Sequence, residues 1–373
     1  MSNTVEPQLE PGANSRSKSQ AKLRTALLGG TALIASAAVA VLSVQGAHAE
    51  ANNDESEAAQ ATCVLAELPM PEDRYFSIVT GMSEDGSVIA YRTYDLDTYQ
   101  RDTWLYSGGE ATEVAMPGED QSLQDVTTAG IAVGSTFEDG GSKPYIWDGT
   151  ELTPLTTTAE YGSADGINEA GDIIGTDGEA ESATPVLWPA GETEPVALEL
   201  PEDATWGQAT DIDEDGTIVG YYGYGEDNSR PYVWHPDGTG EALPLPDGVD
   251  ENAAGSYPMD ISGDWVSGYL FNDELETGMR WNLTEGTAEI LDLVFAPGIN
   301  PEGTAAGEAS PSAAYQTADE LVELPGLTDP ADNYFGDTAT EINEDGTLLA
   351  GQVYAGEDAD GMHILKAVTW TCE

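Results

Sequence analysis

Carboxylates are the most abundant groups with which this chain could do chemistry, since it contains 69 Asp and Glu residues against three His and two Cys. Nucleophilic catalysis by a Ser/His/Asp arrangement needs an imidazole that accepts a proton near neutral pH. Beyond the N-terminal segment, the candidates are His235, in Trp-His-Pro-Asp-Gly, and His363, in Met-His-Ile. No G-x-S-x-G or H-E-x-x-H motif accompanies them. We therefore interpret both as surface or strand residues and assign no catalytic residue.

One segment has the spacing of a metal site. Asp211, Asp213 and Asp215 alternate along the chain and precede Gly216, which lets a tight turn direct several carboxylates onto one Ca²⁺. The last position of a twelve-residue calcium loop is Tyr222 here, where a carboxylate is needed. We therefore expect a β-turn that binds calcium weakly at most, and no other cofactor. Two cysteines are too few for a thiolate zinc site.

The charge of the chain limits its partners. The formal net charge is −58 at pH 7, which repels nucleic acid and anionic membrane surfaces. Such a charge either keeps an exported protein soluble and monomeric or collects cations, and we favour the first interpretation. The eight Trp and 16 Tyr residues indicate a folded core rather than disorder.

The N-terminus resembles an export signal. Residues 1–49 contain a basic stretch, an apolar run over 26–44, and small residues around a cleavage site after Ala49. An uncleaved membrane anchor is the alternative, although Gly and Ser residues dilute the run. We expect a disordered acidic leader over 50–62 and a folded domain over 63–373. The mature protein is expected to be secreted or periplasmic, without insertion into a membrane.

The rest of the chain is built from a repeat. An apolar residue, a polar stretch, a Gly and a second apolar run recur seven times. The apolar anchors are Met82, Val126, Ile167, Ile212, Ile261, Ile299 and Ile342, with spacings by subtraction of 44, 41, 45, 49, 38 and 43. An aromatic segment follows in each repeat, at Trp104, Trp147, Trp188, Trp234, Trp281, Tyr315 and Trp370. An outer segment such as TEVAMP or EALPLP completes most repeats.

These units predict an all-β fold. Repeats of this length, with four short antiparallel strands and Gly-rich turns, are typical of β-propeller blades. The last repeat lacks its outer strand, and CVLAELP, from Cys63, supplies one at the opposite end of the chain. We predict a seven-bladed β-propeller with four strands per blade, closed by the N-terminal strand joining the last blade. An open solenoid or a two-sheet sandwich is the alternative.

The repeat resembles a known family. The pattern IN-x-x-G-x-[IV]-x-G, followed by an aromatic-Trp strand and an L-x-x-L strand, is similar to the HAF-type extracellular repeats of bacterial secreted proteins. The likeness covers about residues 75–373, and the His-Ala-Phe signature appears in altered forms such as RPYVW and KPYIW. The resemblance implies export and a propeller-like fold. It implies no reaction.

Aromatic residues beside acidic loops suggest a binding face. Trp206, Tyr221, Tyr222 and Tyr224 cluster around one predicted inner strand, and aromatic rings form platforms for sugars or peptides. Packing between blades is the alternative role. We expect a binding or structural module without catalytic activity, whose partner is an unidentified protein or glycan. The alternative is a secreted carboxylate-dependent hydrolase or lyase with its site in the central channel, which would show two or three convergent, partly buried acids.

The two cysteines lie at the two ends of the repeat array. An oxidising compartment favours their pairing. Alignment with the fourth repeat places Cys372 at the position of Pro236 and Cys63 at that of Gly240, on either side of a hairpin turn. Cross-strand Cβ atoms are close enough for a bond at such a place. We therefore predict a Cys63–Cys372 disulfide.

Overall fold

The computed structural model describes residues 62–72, 74–94, 100–178, 182–225, 229–250, 254–271, 276–358 and 361–373. The predicted signal peptide and nearly all of the predicted leader lie outside these ranges. Within them the chain forms β-strands and one short 3-10 turn at Pro330–Asp332. They contain no helix that is long and apolar enough to cross a membrane.

The strands follow one another in groups that match the repeats. The first group contains β1 (Cys63–Glu67), β2 (Phe76–Met82), β3 (Val88–Tyr94), β4 (Arg101–Ser107) and β5 (Glu110–Val114). The next two groups are β6 (Glu119–Val126), β7 (Ala132–Glu138), β8 (Gly141–Trp147) and β9 (Leu152–Pro154), then β10 (Gly162–Ile167), β11 (Ile173–Asp177), β12 (Thr184–Trp188) and β13 (Val196–Ala197). Then come β14 (Trp206–Ile212), β15 (Ile218–Gly223), β16 (Arg230–Trp234) and β17 (Gly240–Ala242), followed by β18 (Gly255–Ser262), β19 (Trp265–Phe271), β20 (Glu276–Asn282) and β21 (Thr287–Ile290). The last groups are β22 (Phe295–Ile299), β23 (Ala305–Ala309), β24 (Ser312–Gln316) and β25 (Leu321–Glu323), then β26 (Thr338–Ile342), β27 (Leu348–Glu357) and β28 (His363–Cys372).

Five sheets each contain four antiparallel strands in chain order, from β6–β9 to β22–β25. An eight-stranded sheet combines β2–β5 with β26–β28 and β1. Its two halves meet at a single parallel bridge between Phe76 and Leu365, and each half is itself four-stranded and antiparallel. The prediction of an all-β fold with four antiparallel strands per repeat is confirmed.

We call the strand that contains the apolar anchor the first strand of its group. The first strands are β2, β6, β10, β14, β18, β22 and β26. Each lies beside the first strand of the next group, and β26 lies beside β2. Every one of them contains a shift of register with its partner strand, two residues before its apolar anchor in most cases. Such a bulge re-aims the side chains that follow it. The residue just before each anchor therefore lies where neighbouring first strands approach one another.

The core lies between neighbouring sheets. Trp188, Trp281 and Trp370 are fully buried there. Each indole Nε1 donates to a backbone carbonyl just after the last strand of the preceding group. The acceptors are Thr156 O at 3.1 Å for Trp188, Pro244 O at 2.7 Å for Trp281 and Pro325 O at 2.8 Å for Trp370. The aromatic strands of the sequence pattern thus attach each sheet to its neighbour.

The two ends of the chain are joined as predicted. β1 pairs antiparallel with β28, and a disulfide links Cys63 to Cys372 with a Cα–Cα distance of 4.0 Å. The position within the turn differs from the alignment. Leu65, rather than Cys63, faces Trp370 as Gly240 faces Trp234, so β1 extends two residues farther along its partner than the outer strand of the fourth repeat.

Candidate functional site

The position just before each apolar anchor is occupied either by an acid or by glycine. The residues are Gly81, Asp125, Gly166, Asp211, Asp260, Gly298 and Glu341. At the glycines the neighbouring strand is very close, because a Cβ on Gly166 would lie 3.1 Å from Asp211 Oδ1, and a Cβ on Gly81 would lie 2.6 Å from the Gln124 carbonyl oxygen. Glycine at three of the seven positions therefore leaves room for the acids at the other four to approach one another.

We call Asp125, Asp211, Asp260 and Glu341 the acid cluster. Three of them are anchored by backbone N–H groups of the next sheet. Asp125 Oδ2 accepts from Ile167 N at 2.8 Å, Asp211 Oδ2 from Ile261 N at 2.9 Å and Asp260 Oδ2 from Ile299 N at 2.7 Å. These bonds fix the carboxyl groups on rigid strands, as a catalytic constellation requires.

The acid cluster is deep in the protein but not sealed, since each of its four residues retains intermediate exposure. Burial raises the pKa of Asp125 to about 7, with a smaller contribution from the charge of Asp260, although its bonds to backbone N–H groups oppose the rise. Burial, followed by the charges of Asp260 and Asp125, holds the pKa of Glu341 well above its usual range. The four acids therefore feel one another's charge across an accessible interior space.

Asp211 and Asp260 form a hydrogen-bonded pair within the cluster. Burial, the charge of Asp260 and the hydrogen bond to Asp260 together hold the pKa of Asp211 well above its usual range. Burial also raises the pKa of Asp260, but there the bonds from Asp211 and from backbone N–H groups favour the ionised form. The two carboxyl groups therefore titrate as a coupled pair, and burial favours the protonated form of Asp211 most strongly.

A second group of acids lies in the turns that follow the first strands. Glu169 accepts from Thr128 N at 2.5 Å, and Glu214 accepts from Glu169 N at 3.0 Å. Burial raises the pKa of Glu84 to about 7, and the charges of Glu214 and Glu344 add to this. Glutamates from turns of different sheets thus approach one another at the end where the first strands finish.

The chemistry open to this arrangement is proton transfer. A protonated carboxyl beside an ionised one provides an acid and a base at the same pH. Within the described ranges no group of three or more His, Cys, Asp or Glu residues has the arrangement of a metal site. One oxygen of each of Asp125, Asp211 and Asp260 is already engaged by a backbone N–H.

The motif that suggested calcium is divided between two places. Asp211 belongs to the acid cluster, whereas Asp213 Oδ1 accepts from Gly263 N at 2.8 Å and Asp215 Oδ1 accepts from Thr217 N at 2.8 Å. Gly216 has φ +86°, which a tight turn requires. These bonds account for the two turn carboxylates, and weak calcium binding at most stays our prediction.

The four aromatic residues of the expected binding face divide between two sides of β15. Trp206 and Tyr221 are 6.0 Å apart between ring centroids, and Tyr221 also contacts Tyr257 of the next sheet at 5.1 Å. Tyr222 and Tyr224 are 5.7 Å apart and lie on the opposite side. Tyr222 borders a cavity of about 60 Å³, far smaller than a typical ligand pocket. Ligand binding by these four residues stays a prediction.

Both histidines have carboxylate neighbours. His235 Nε2 lies 3.5 Å from Glu241 Oε1. His363 Nδ1 lies 2.9 Å from the Tyr354 hydroxyl oxygen and 3.7 Å from Glu357 Oε1. Neither approaches the acid cluster through a contact between described residues.

The acid cluster itself was missed from the sequence. Its signal is the residue before each anchor, which is always Asp, Glu or Gly while the rest of the motif stays apolar or turn-forming. Recognising it required knowing that a bulge turns this position toward the neighbouring sheets.

Comparison with solved structures defines the class of fold. No protein-family model matches the chain, and no curated protein sequence matches it significantly. A structure described as that of two prolyl endopeptidases has 11% sequence identity and a TM-score of 0.50, covering 80% of this chain and 50% of that one. The β-propeller domain of the trilobed protease from Pyrococcus furiosus has 14% identity and a TM-score of 0.45, with 69% and 83% covered. A putative TolB from Agrobacterium tumefaciens has 13% identity and a TM-score of 0.44, with 62% and 88% covered. The fold is that of a β-propeller.

The expectation of a non-catalytic binding or structural module is wrong. The interior holds convergent, partly buried acids, which is the arrangement that the sequence argument assigned to an enzyme. The error arose because carboxylates are so numerous that no pair stood out before their positions were known.

Proposed function

We propose that the protein is a carboxylate-dependent hydrolase or lyase whose active site is the acid cluster. The observation that carries this proposal is the coupled Asp211–Asp260 pair: burial holds the pKa of Asp211 well above its usual range, while bonds from Asp211 and from backbone N–H groups favour the ionised form of Asp260. Enzymes that cleave bonds with a pair of carboxyl groups need one acid and one base at their working pH.

The proposed mechanism uses each member of the pair once. Asp211 gives its proton to the leaving group of the substrate, which is the oxygen of a glycosidic bond or the nitrogen of a peptide bond. In a hydrolase Asp260 takes a proton from the attacking water, and in a lyase it takes a proton from the carbon next to the breaking bond. The charge of Asp125 adds to the rise in the pKa of Asp211, and the charges of Asp260 and Asp125 raise that of Glu341.

We place this site in the central channel of a closed, seven-bladed propeller. Three observations support this architecture: the grouping of the strands, the contact of β26 with β2, and the pairing of β1 with β28. First strands that border one another all the way from β2 to β26 would surround such a channel.

We also propose that the protein is exported after cleavage near Ala49. The Cys63–Cys372 disulfide supports this, because disulfides persist in oxidising compartments. Membership of the HAF-type repeat family is a further proposal, based on the repeat pattern alone. A glycan or a protein is the proposed macromolecular substrate.

The test is the activity of two isosteric variants. Purified mature protein is assayed on a panel of polysaccharides and peptides for new reducing ends, unsaturated products and new amino groups. We expect Asp211→Asn and Asp260→Asn each to lower kcat at least about 100-fold. Asn keeps an acceptor for the N–H groups of Ile261 and Ile299, so the melting temperature tests whether the fold survives.

The matched control is Asp237→Asn, which makes the same change at an exposed turn carboxylate bonded to Thr239. It is expected to keep full activity. Wild-type protein without activity on any substrate of the panel, or Asn variants as active as the wild type, would contradict the proposal.

A further inference from the structure

Arg92 is a buried cation that has no counter-ion among the residues that the structure describes. Its side chain is 2% exposed, and among the described residues Nε and Nη1 find no hydrogen-bond partner. Burial, together with the charge of Arg101, lowers the pKa of Arg92 to about 10, so it stays positively charged at neutral pH. A buried, unpaired charge is costly.

The other arginines nearby are already paired. Arg74 Nη2 lies 2.6 Å from Asp102 Oδ2, and Arg101 forms an ion pair with Asp120. The chain carries a net charge of −58. Even so, none of the described groups that influence the pKa of Arg92 is a carboxylate.

Arg92 lies in the wall next to the shared edge of the first strands. It pairs with Ile78 on β2, which is partly exposed. Ala90, two residues earlier and on the same face of β3, packs against Leu123 of β6. Arg92 therefore faces the sheet that carries Asp125.

The distance to the acid cluster follows from the register. Gly81 lies against Gln124 and Asp125 and pairs with Ala90 on β3, two residues before Arg92. At a rise of about 3.3 Å per residue, the level of Arg92 is about 7 Å from that of the acid cluster, toward the start of the first strands.

Equivalent positions in two other sheets have their polar groups satisfied within the protein. Ser135 Oγ accepts from Ala164 N at 3.2 Å, and the Tyr221 hydroxyl donates to Gln208 Oε1 at 2.5 Å. Gln352, at the corresponding position of β27, is 4% exposed, and its Oε1 has no hydrogen-bond partner among the described residues. Unsatisfied polar groups at this level therefore occur on β3 and on β27, which belong to the two halves of the eight-stranded sheet.

We propose that Arg92 binds a carboxylate group of the substrate, which places the substrate of the proposed active site among acidic molecules. A guanidinium matches a carboxylate with two parallel hydrogen bonds. The bound carboxylate would supply the counter-ion that Arg92 lacks, at a level about 7 Å from that of the acid cluster. This proposal rests on the proposed function, because it assumes that the substrate enters the same interior space.

The test measures binding without turnover. Calorimetry and thermal shift are carried out with acetate and glucuronate, with glucose as the neutral counterpart of glucuronate, and with inorganic phosphate. We expect saturable binding of both carboxylates to wild-type protein, no binding of glucose, and at least about tenfold weaker carboxylate binding by Arg92→Lys. Arg92→Met should abolish binding and raise the melting temperature in carboxylate-free buffer, because it removes an unpaired buried charge.

The two proposals can fail separately. Asp211→Asn should still bind glucuronate, since its change is confined to the acid cluster. Loss of activity in Asp211→Asn with unchanged binding supports both proposals, whereas carboxylate binding without any activity contradicts the enzyme alone. Wild-type protein that binds neither carboxylate, binds only phosphate, or is matched in affinity by Arg92→Lys would overturn the role of Arg92.

Discussion

Removal of the Cys63–Cys372 disulfide should destabilise the protein without unfolding it. The bond joins residues separated by 309 positions, and chain entropy for a loop of that size gives a stabilisation of about 5–6 kcal/mol. We expect about 4 kcal/mol in practice, because unfolded chains retain some structure. With an unfolding entropy of about 2.1 cal/mol/K per residue over about 300 residues, this corresponds to a fall in melting temperature of about 6 °C.

The assay compares urea unfolding of wild type and the Cys63→Ser, Cys372→Ser double variant. The control is Lys366→Met, which removes a different contact between β28 and β1, the 2.6 Å ion pair with Glu67. An exposed pair of this kind contributes less than about 1 kcal/mol. A double variant that loses no more stability than Lys366→Met would refute the argument that the disulfide holds the two ends of the chain together.

Three further predictions concern pH, aromatic contacts and calcium. Burial raises the pKa of Asp125 from 3.8 to about 7, so the folded state binds this proton more tightly than the unfolded chain does. The free energy of unfolding should therefore fall as pH rises from about 4 to 7, by on the order of 4 kcal/mol for this residue alone. Asp125→Asn should flatten the dependence of melting temperature on pH. An unchanged dependence would contradict the raised pKa of Asp125. Trp206→Ala should raise KM for the substrate, because an aromatic platform would be lost, while unchanged KM with a lower melting temperature would show that Trp206 only packs against Tyr221. Calorimetric titration of the mature protein with Ca²⁺ should be flat or weak, and tight stoichiometric binding that is abolished by Asp213→Asn would contradict the turn interpretation.

Much of the fold could be predicted because it depends on patterns of residues that are close together in the sequence. Each repeat has its apolar anchor and its aromatic residue at nearly the same spacing, as at Ile167 and Trp188 and at Ile212 and Trp234. Each of these four residues lies in the strand predicted for it. The pairing of the chain ends could also be predicted, because a missing outer strand and an extra one complement each other. The exact register of β1 could not, since the outer strand of the fourth repeat, which served as the guide, pairs two residues out of step with it.

The site was less accessible to sequence reasoning. The meeting of Asp211 with Asp260 depends on bulges in β14 and β18 and on the close approach allowed at Gly166. The isolation of Arg92 depends on the packing of β3 against β6. Both are relations between residues of different sheets, which the spacing along one strand does not contain.

The central claim is that Asp211 holds a proton beside an ionised Asp260 at neutral pH. Carboxyl ¹³C NMR titration of the mature protein measures this directly, with the Asp211 signal assigned by its absence from Asp211→Asn. We predict that Asp211 titrates well above the usual range of an aspartate, and that its pKa falls in Asp260→Asn because the repulsion from Asp260 is removed. An Asp211 pKa near 3.8 in the wild-type protein, unchanged in Asp260→Asn, would contradict it.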